Sequence, residues 1–507
     1  MFPSPSSSPT QSAILQDTTN AARTSHGDRY RPSYPWLQLP TPPTHAKRPL
    51  EDDRSPSKRP RLIADETTDA DEVLMKRQCT RFRRKQCSAA SMMARYDLPF
   101  QSSISSRVST RIILKSFVSS YNSDLFRCDS VDDAFLTTPY ACSYSHSAKA
   151  GRTPSLAVST EEGTVHIFDT QKRNEWDAEP PRRTLRPHVN GVYDVKWSPS
   201  DSRLATCSAD RSIRISCPLT SQLLHTLEGH VSSVKRAAWH PINDSLLCSG
   251  GRDGAICIWD LRLPQNPVLK ISDAHELPLK GRRSKQHVPK TVTNLVFNED
   301  MSLISSGSSD GVLHNWDLRF LSSQSRPRSK RVTPSFCSPI DPTTQYSSRR
   351  PRGILSITAG TGPTSGLLFA LAADSRIHTY DASSLTPLPI NFTDPNLQVN
   401  GSFYISSAVS PCGRWLASGG GKSALLFDVS SAARPFARAS SGVVLKAQLG
   451  AVHAVDWADG MVATCADDRT VRIWRPDVDT YRSCEEDPDE YKWKWSWAED
   501  SVSKKTM

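Results

Sequence analysis

The sequence predicts an all-β fold, a seven-bladed β-propeller behind a disordered N-terminal tail, and three observations carry this. Strand-like segments end at Phe168-Asp169, Ile215, Trp259-Asp260, Trp316-Asp317, Tyr380-Asp381, Phe427-Asp428 and Trp474, at successive spacings of 47, 44, 57, 64, 47 and 47 residues. A recurring period of this length marks a repeat architecture, in which each unit buries its apolar face against the next. Within a unit the residues alternate at strand periodicity, as in Ala255-Ile256-Cys257-Ile258-Trp259. The first 66 residues, by contrast, are Pro, Ser, Thr and charge with scattered aromatics, too poor in apolar area to offset the entropy of ordering.

Taken in order, residues 1–66 are expected to be a disordered tail. Lys47-Arg48 and Lys58-Arg59-Pro60-Arg61 are separated by nine residues within it, the spacing of a bipartite nuclear import signal, so a nuclear location is expected. Residues 67–106 form a linker with a candidate helix over 70–86, opened by the capping-box pattern Asp69-x-x-Glu72 and followed by Lys76, Arg77, Arg81, Arg83, Arg84 and Lys85. Its apolar residues Val73, Leu74 and Phe82 cannot form a core by themselves, which makes it a candidate docking segment. Residues 107–480 hold the repeats. A Gly-His dipeptide early in the unit and Trp-Asp late in it, at this period, define the WD repeat, four short strands per blade, so the propeller is of the WD40 type. The seventh unit stops at its third strand, Val471–Trp474, and the run Arg111–Phe117 is the expected donor of the missing fourth strand, since an open ring would leave an exposed edge. The tail 481–507 carries an acidic run and Trp493, Trp495 and Trp497 in alternation, the pattern of a short strand lying on the propeller.

Charge and composition narrow the function classes. Among 507 residues, 63 Lys and Arg against 52 Asp and Glu leave a net charge of +11, suited to an acidic partner. The 12 cysteines include no Cys-x-x-Cys pair and no zinc-finger spacing, so no metal site and no disulfide framework is expected. The N-terminus lacks a basic and then apolar leader, and the longest apolar run, Leu367–Ala373, is far below the ~20 residues that span a bilayer, so no membrane association is expected. No phosphate-cradling glycine motif, His-Glu-x-x-His or paired catalytic carboxylate stands out, and neither a catalytic residue nor a cofactor is assigned.

His230, Ser249, Asp253 and Trp259 occupy the positions where WD repeats place a hydrogen-bonded tetrad, and the blade-four equivalents are read as His275, Ser306, Asp310 and Trp316. A His, an Asp and a Ser also make up a catalytic triad, but a triad assembles once, whereas this set recurs in separate blades. The structural role therefore takes precedence. Blade six has Gly421 at the aspartate position and blade two has Ile215-Ser216 in place of Trp-Asp, so neither is expected to complete the tetrad.

Two consecutive blades carry more than the repeat needs: Trp259-Asp260-Leu261-Arg262 and Trp316-Asp317-Leu318-Arg319. An arginine two positions after the aspartate lies at the exit of a third strand, where its planar fork is suited to carboxylates or carbonyls of a partner. This double box resembles the signature of substrate receptors that dock on the damaged-DNA-binding-protein-1 adaptor of Cullin-4 ubiquitin ligases. Pro139–Ser143, Glu161-Glu162-Gly163, Cys248–Gly254 and Ser348–Gly353 further resemble the denticleless family over about residues 107–480. The resemblance implies a non-catalytic subunit of a nuclear E3 ubiquitin ligase, with the adaptor bound through Trp259, Asp260, Arg262, Trp316, Asp317 and Arg319. It further implies selection of PCNA-bound, replication-linked proteins for degradation, with DNA contacted weakly or indirectly. The competing readings are a chromatin- or histone-binding propeller and an RNA-processing scaffold, neither of which needs Arg262 and Arg319.

The excess length behind the 57- and 64-residue spacings falls in connections between blades, which open on the face opposite the double box. There Lys280, Arg282, Arg283 and Lys285 precede blade four, and Arg349, Arg350 and Arg352 precede blade five. They are the expected substrate-facing patch, attractive to acidic protein surface or phosphates.

Overall fold

A computed structural model of the chain describes residues 110–131, 135–263, 266–276, 290–318, 332–346, 350–399, 404–434 and 439–501. The candidate import signal, the candidate helix over 70–86, and the site residues Lys280, Arg282, Arg283, Lys285, Arg319 and Arg349 lie outside them.

The repeats fold as seven antiparallel blades. Blade one is β3 (Pro139–Tyr144), β4 (Ser155–Thr160), β5 (Val165–Asp169) and β6 (Arg183–Leu185); blade two is β7 (Val192–Trp197), β8 (Leu204–Ser208), β9 (Ser212–Ser216) and β10 (Leu223–Glu228). Blade three is β11 (Val234–Trp239), β12 (Leu246–Gly251), β13 (Ile256–Asp260) and β14 (Leu269–Ile271); blade four is β15 (Val292–Phe297), β16 (Leu303–Gly307), β17 (Leu313–Trp316) and β18 (Phe336–Cys337). Blade five comprises β19 (Ile354–Ala359), β20 (Leu367–Ala372), β21 (Arg376–Asp381) and β22 (Pro387–Phe392); blade six comprises β23 (Ser407–Val409), β24 (Trp415–Ser418), β25 (Ala424–Asp428) and β26 (Val443–Leu445). Blade seven has β27 (Val452–Ala458), β28 (Met461–Ala466) and β29 (Thr470–Pro476) from its own repeat. The first strand of each blade lies innermost and packs on that of the next, and β27 packs on β3 to close the ring.

The core sits between blades. Ile213, Ile215 and Leu227 of blade two pack with Val234, Leu247, Cys257 and Trp259 of blade three in one buried cluster, and comparable clusters fill other seams. Removing this area from water at roughly 25 cal/mol per Å² is what a single blade cannot achieve alone.

Closure uses the N-terminal segment, but not the residues expected. Arg111–Lys115 is a single helical turn, α1, because Leu114 and Phe117, three apart, are the pair that reaches the core, while Ile112 is 68% exposed. Phe117 meets Trp457 edge-to-face at 5.7 Å and Trp415 at 6.2 Å. The chain then forms β1 (Phe117–Ser120) and β2 (Leu125–Arg127), and β2 supplies the outer strand of blade seven by pairing Leu125, Phe126 and Arg127 with Arg472, Val471 and Thr470. Phe126 is buried against Phe168 of blade one, with ring centroids 5.2 Å apart.

The C-terminal segment forms helices α2 (Val478–Glu486) and α3 (Pro488–Tyr491) and then strand β30 (Trp495–Asp500). This strand pairs with β26 of blade six on one side and β1 on the other, so the outer edges of blades six and seven become one continuous sheet. The expected terminal strand is therefore present, with Ser496 and Ala498 facing inward and Trp495 and Trp497 only half-buried. Asp500 receives Arg111 at 2.7 Å and also pairs with Lys115, anchoring β30 to α1.

Candidate functional site: the two faces of the propeller

Strands alternate in direction within a blade, so turns from second to third strands and connections between blades share one face, called upper here. Third strands end on the other, lower face. Sequence position thus decides which face a loop residue occupies.

In blade three the tetrad is complete. Trp259 Nε1 donates to Ser249 Oγ at 2.8 Å, Ser249 Oγ lies 2.8 Å from His230 Nε2, and His230 Nδ1 lies 3.0 Å from Asp253 Oδ1. With the indole donating to the hydroxyl, the hydroxyl proton points to Nε2, and the imidazole proton resides on Nδ1 facing the carboxylate. Burial would raise the pKa of that carboxylate, but the His230 contact outweighs it and holds the group below the usual range. The four side chains together brace a turn against a strand.

Blade four departs from the expected set. Its bridging hydroxyl is Ser305, not Ser306: Trp316 Nε1 donates to Ser305 Oγ at 2.8 Å and His275 Nε2 lies 2.9 Å from it. Ser306 instead contacts Thr293 Oγ1 at 2.9 Å. The reason is strand register: Ser305 pairs with His314 and points to the side of the sheet where the indole lies, and its neighbour points to the other. Asp310 does not join the tetrad; it receives Lys290 at 3.5 Å. The buried His275 Nδ1 has no partner among the described residues, while its ring stacks on His314 at 4.3 Å. Burial, then the neighbouring His314, holds the His275 pKa well below the ordinary imidazole value, so it is neutral in the fold. Blade two keeps His188, Thr206 and Asp210 in the chain without the indole, and blade seven uses Gln448 and Thr464 with Trp474. A search for histidine and serine finds neither substitution. In blade seven Ala447-Gln448 stands where blade three has Gly229-His230, so the dipeptide gives no signal there.

On the lower face, Arg262 leaves β13 and folds back on the residue two before it. Its Nε and Nη2 donate to Asp260 Oδ1 at 2.9 Å and Oδ2 at 2.7 Å, and its backbone N–H donates to Oδ1 at 3.1 Å. The Asp260 side chain is 1% exposed while that of Arg262 is 52% exposed. The fork is thus occupied on its Nε side, a fixed and half-exposed cation with three of its five N–H donors left, and its pKa is raised by the carboxylate. The sequence alone implies a free fork and does not reveal the aspartate's second role. Leu261 is buried in the seam between blades two and three, and Leu318 packs in the next seam, which pins both boxes to the rim. Trp316 is buried and Asp317 N–H donates to Ser335 Oγ at 3.1 Å.

On the upper face, Arg350 and Arg352 are exposed in the connection to β19, and the Arg352 N–H donates to Thr343 Oγ1 of the same connection at 3.0 Å. A further cluster, absent from the sequence-based expectations, lies at the mouth of the central channel. Tyr140 of β3, Tyr193 of β7 and Tyr404 before β23 stack nearly parallel, with centroids 4.8 Å (140 to 404), 5.3 Å (193 to 404) and 5.9 Å (140 to 193) apart. Lys235 Nζ of β11 sits 3.6 Å from the Tyr193 ring centroid. Tyr140, Tyr193 and Lys235 each occupy the second position of an innermost strand, a regularity visible once the repeats are aligned by strand.

Comparison with known proteins agrees with this architecture. The family described as WD domain, G-beta repeat matches residues 179–215, 221–260, 282–317 and 441–475. The chain is 30% identical over 391 residues to the "Denticleless protein homolog" of Gallus gallus, covering 69% of this chain and 50% of that one. It is 30% identical to the Homo sapiens "Denticleless protein homolog", covering 66% and 46%, and 30% identical to "Protein lethal(2)denticleless" of Drosophila melanogaster, covering 64% and 43%. The chain belongs to the Denticleless family of WD-repeat proteins. It spans about half the length of these curated Denticleless relatives. A chain of the "Crystal Structure of Mitotic Checkpoint Complex" aligns with TM-score 0.47 at 20% identity, over 68% of this chain and 94% of that one. For the Denticleless-family propeller, the broad lower and upper faces make protein interaction its general role. Among the described residues, no group of His, Cys, Asp or Glu is placed to hold a metal ion, and no helix is long and apolar enough to cross a membrane.

Proposed function

We propose that this protein is the substrate receptor of a nuclear Cullin-4 ubiquitin ligase, docking on the damaged-DNA-binding-protein-1 adaptor and presenting PCNA-bound, replication-linked proteins for ubiquitination. The observation that carries the reading is Arg262, an oriented and half-exposed guanidinium at the rim, in the first of two consecutive Trp-Asp-x-Arg boxes. Orientation by Asp260 removes much of the rotamer entropy that an arginine otherwise loses on binding, which is why such a residue serves as an anchor. Arg319 supplies the second cation in this reading, and the positively charged connections of the upper face meet the substrate.

The test is adaptor affinity of the full chain carrying Arg262→Ala and Arg319→Ala together. An anchor pair of this kind is worth ~2 kcal/mol or more, about thirtyfold in Kd. Full retention of adaptor affinity by a folded double variant overturns the assignment and leaves the chromatin-binding scaffold as the better reading.

A further inference from the structure

Three blades repeat one surface device on the upper face. In blade two Val189 is 93% exposed, in blade three Val231 is 71% exposed and in blade seven Leu449 is 79% exposed. Each directly follows the histidine or glutamine of its blade's polar chain, and in two of them the backbone is visibly tied down: Val231 N–H donates to Asp253 at 2.9 Å and Leu449 N–H to Asp468 at 3.0 Å. An exposed arginine adjoins the turn aspartate in each of the same blades, Arg211, Arg252 and Arg469. The turn carboxylates are already engaged, Asp210 by His188, Asp253 by His230 and Asp468 by Thr470. None of the three guanidinium groups meets a carboxylate among the described residues. The pattern continues inward to Lys235 on the stacked tyrosines.

We infer that the upper face over blades seven, one, two and three is a docking surface for an acidic, apolar peptide segment, whose aliphatic or aromatic side chains cover Val189, Val231 and Leu449 and whose carboxylates pair with Arg211, Arg252, Arg469 and Lys235. The inference rests on the substrate-receptor reading only in identifying this face as the one turned to a client. Charge complementarity selects the occupant: the arginines are uncompensated, and each stands beside an exposed aliphatic side chain, an alternation that fits a peptide of mixed acid and apolar residues. A nucleic acid fits less well. The tyrosine faces that bases would stack upon are covered by one another. Lys235 has its pKa pushed down to about 8 by burial, with Arg252 and Arg236 adding to the effect, so a partner carboxylate would relieve an existing unfavourable field.

A random 12-residue peptide display library selected on the immobilised full chain tests this. Recovered sequences should be enriched in Asp and Glu interspersed with Leu, Ile or Phe, and the best of them, labelled for fluorescence anisotropy, should bind with an affinity that falls as salt rises. Lys235→Glu with Arg252→Glu should weaken it tenfold or more, and Val189→Ser with Val231→Ser by a similar factor; Ile242→Ser, equally exposed at 75% on the lower face, should leave it unchanged. Absence of enrichment, enrichment of basic sequences, or equal binding by the charge-reversed variant overturns the proposal, as does an oligonucleotide that binds the same residues when no peptide does. Adaptor affinity of the charge-reversed variant is measured in parallel. Loss of peptide binding with adaptor affinity intact separates this surface from the lower rim, and failure of either reading shows in its own assay.

Discussion

Truncating Arg262 tests how the lower rim is built, because the side chain that faces the partner also neutralises a buried charge. In Arg262→Ala the Asp260 carboxylate, 1% exposed, keeps the backbone N–H at 3.1 Å and loses two charge-assisted bonds at 2.9 and 2.7 Å. Hydrogen bonds to charged groups contribute about 1.5–3 kcal/mol each when buried, and half-exposure of the arginine brings the pair down to roughly 2 kcal/mol. Arg262→Ala should therefore destabilise the propeller by about 2 kcal/mol, although it removes no core volume. Asp260→Asn with Arg262→Ala should recover at least half of this, since no uncompensated carboxylate remains. Urea unfolding followed by tryptophan fluorescence gives each midpoint, and the four-way cycle gives the coupling between the two residues. A midpoint for Arg262→Ala equal to that of the unaltered protein, with coupling under about 0.5 kcal/mol, would refute the reasoning and show the carboxylate to be indifferent to its partner. The adaptor assay then has its proper reference, the double Asp260→Asn, Arg262→Ala protein.

Ser305→Ala should cost about 2–4 kcal/mol in the same urea assay by stranding the Trp316 indole and His275, and Ser306→Ala about 1 kcal/mol, because Thr293 Oγ1 still reaches the Ile354 carbonyl at 2.6 Å; the reverse order would return the tetrad to Ser306. Acidification should weaken the fold: burial, aided by Arg182, pushes the His166 pKa down to about 4, so the stability present above pH 6.5 is lost as pH falls from 6.5 toward 4, amounting to about 3 kcal/mol. His166→Gln should flatten that part of the pH profile of the melting temperature, and an unchanged profile would contradict it. Ending the chain at Lys494 removes β30 and opens the edges of β26 and β1, so limited proteolysis should cut near Arg111 and the protein should aggregate more readily than the full chain; equal resistance would show the strand to be dispensable.

The blades were legible because the repeat writes the same strand endings seven times, and a period survives the loss of individual residues such as the indole of blade two. What escaped was anything set by register or by pairs distant in sequence. Ser305 and Ser306 are indistinguishable as letters, and only the pleat decides which one faces the indole. Arg111–Phe117 reads as a strand because four of its residues are apolar, yet of those four only Leu114 and Phe117, three apart, are buried, and Arg111–Lys115 is a turn of helix, with the closing strand displaced to Leu125–Arg127. The tyrosines of the channel mouth come from blades one, two and six, so their stacking depends on the closed ring and not on any local pattern.

The two faces differ in how tightly recognition is bound to folding. On the lower face, Asp260 ends the strand that carries the tetrad indole and also holds Arg262, and Leu261 between them is buried, so each residue of the box has a structural duty as well as a surface one. Change there is costly to the fold whatever the partner. On the upper face, Val189, Val231 and Leu449 are exposed, and the backbone bonds that set Val231 and Leu449 do not depend on the side chain, while Arg211, Arg252 and Arg469 meet no carboxylate among the described residues. Substitutions at these six positions leave the blades intact and alter only what the face attracts. A propeller built this way can keep one partner constant on its lower rim while the upper face is retuned to another client, because the residues that choose the client are not the residues that hold the ring.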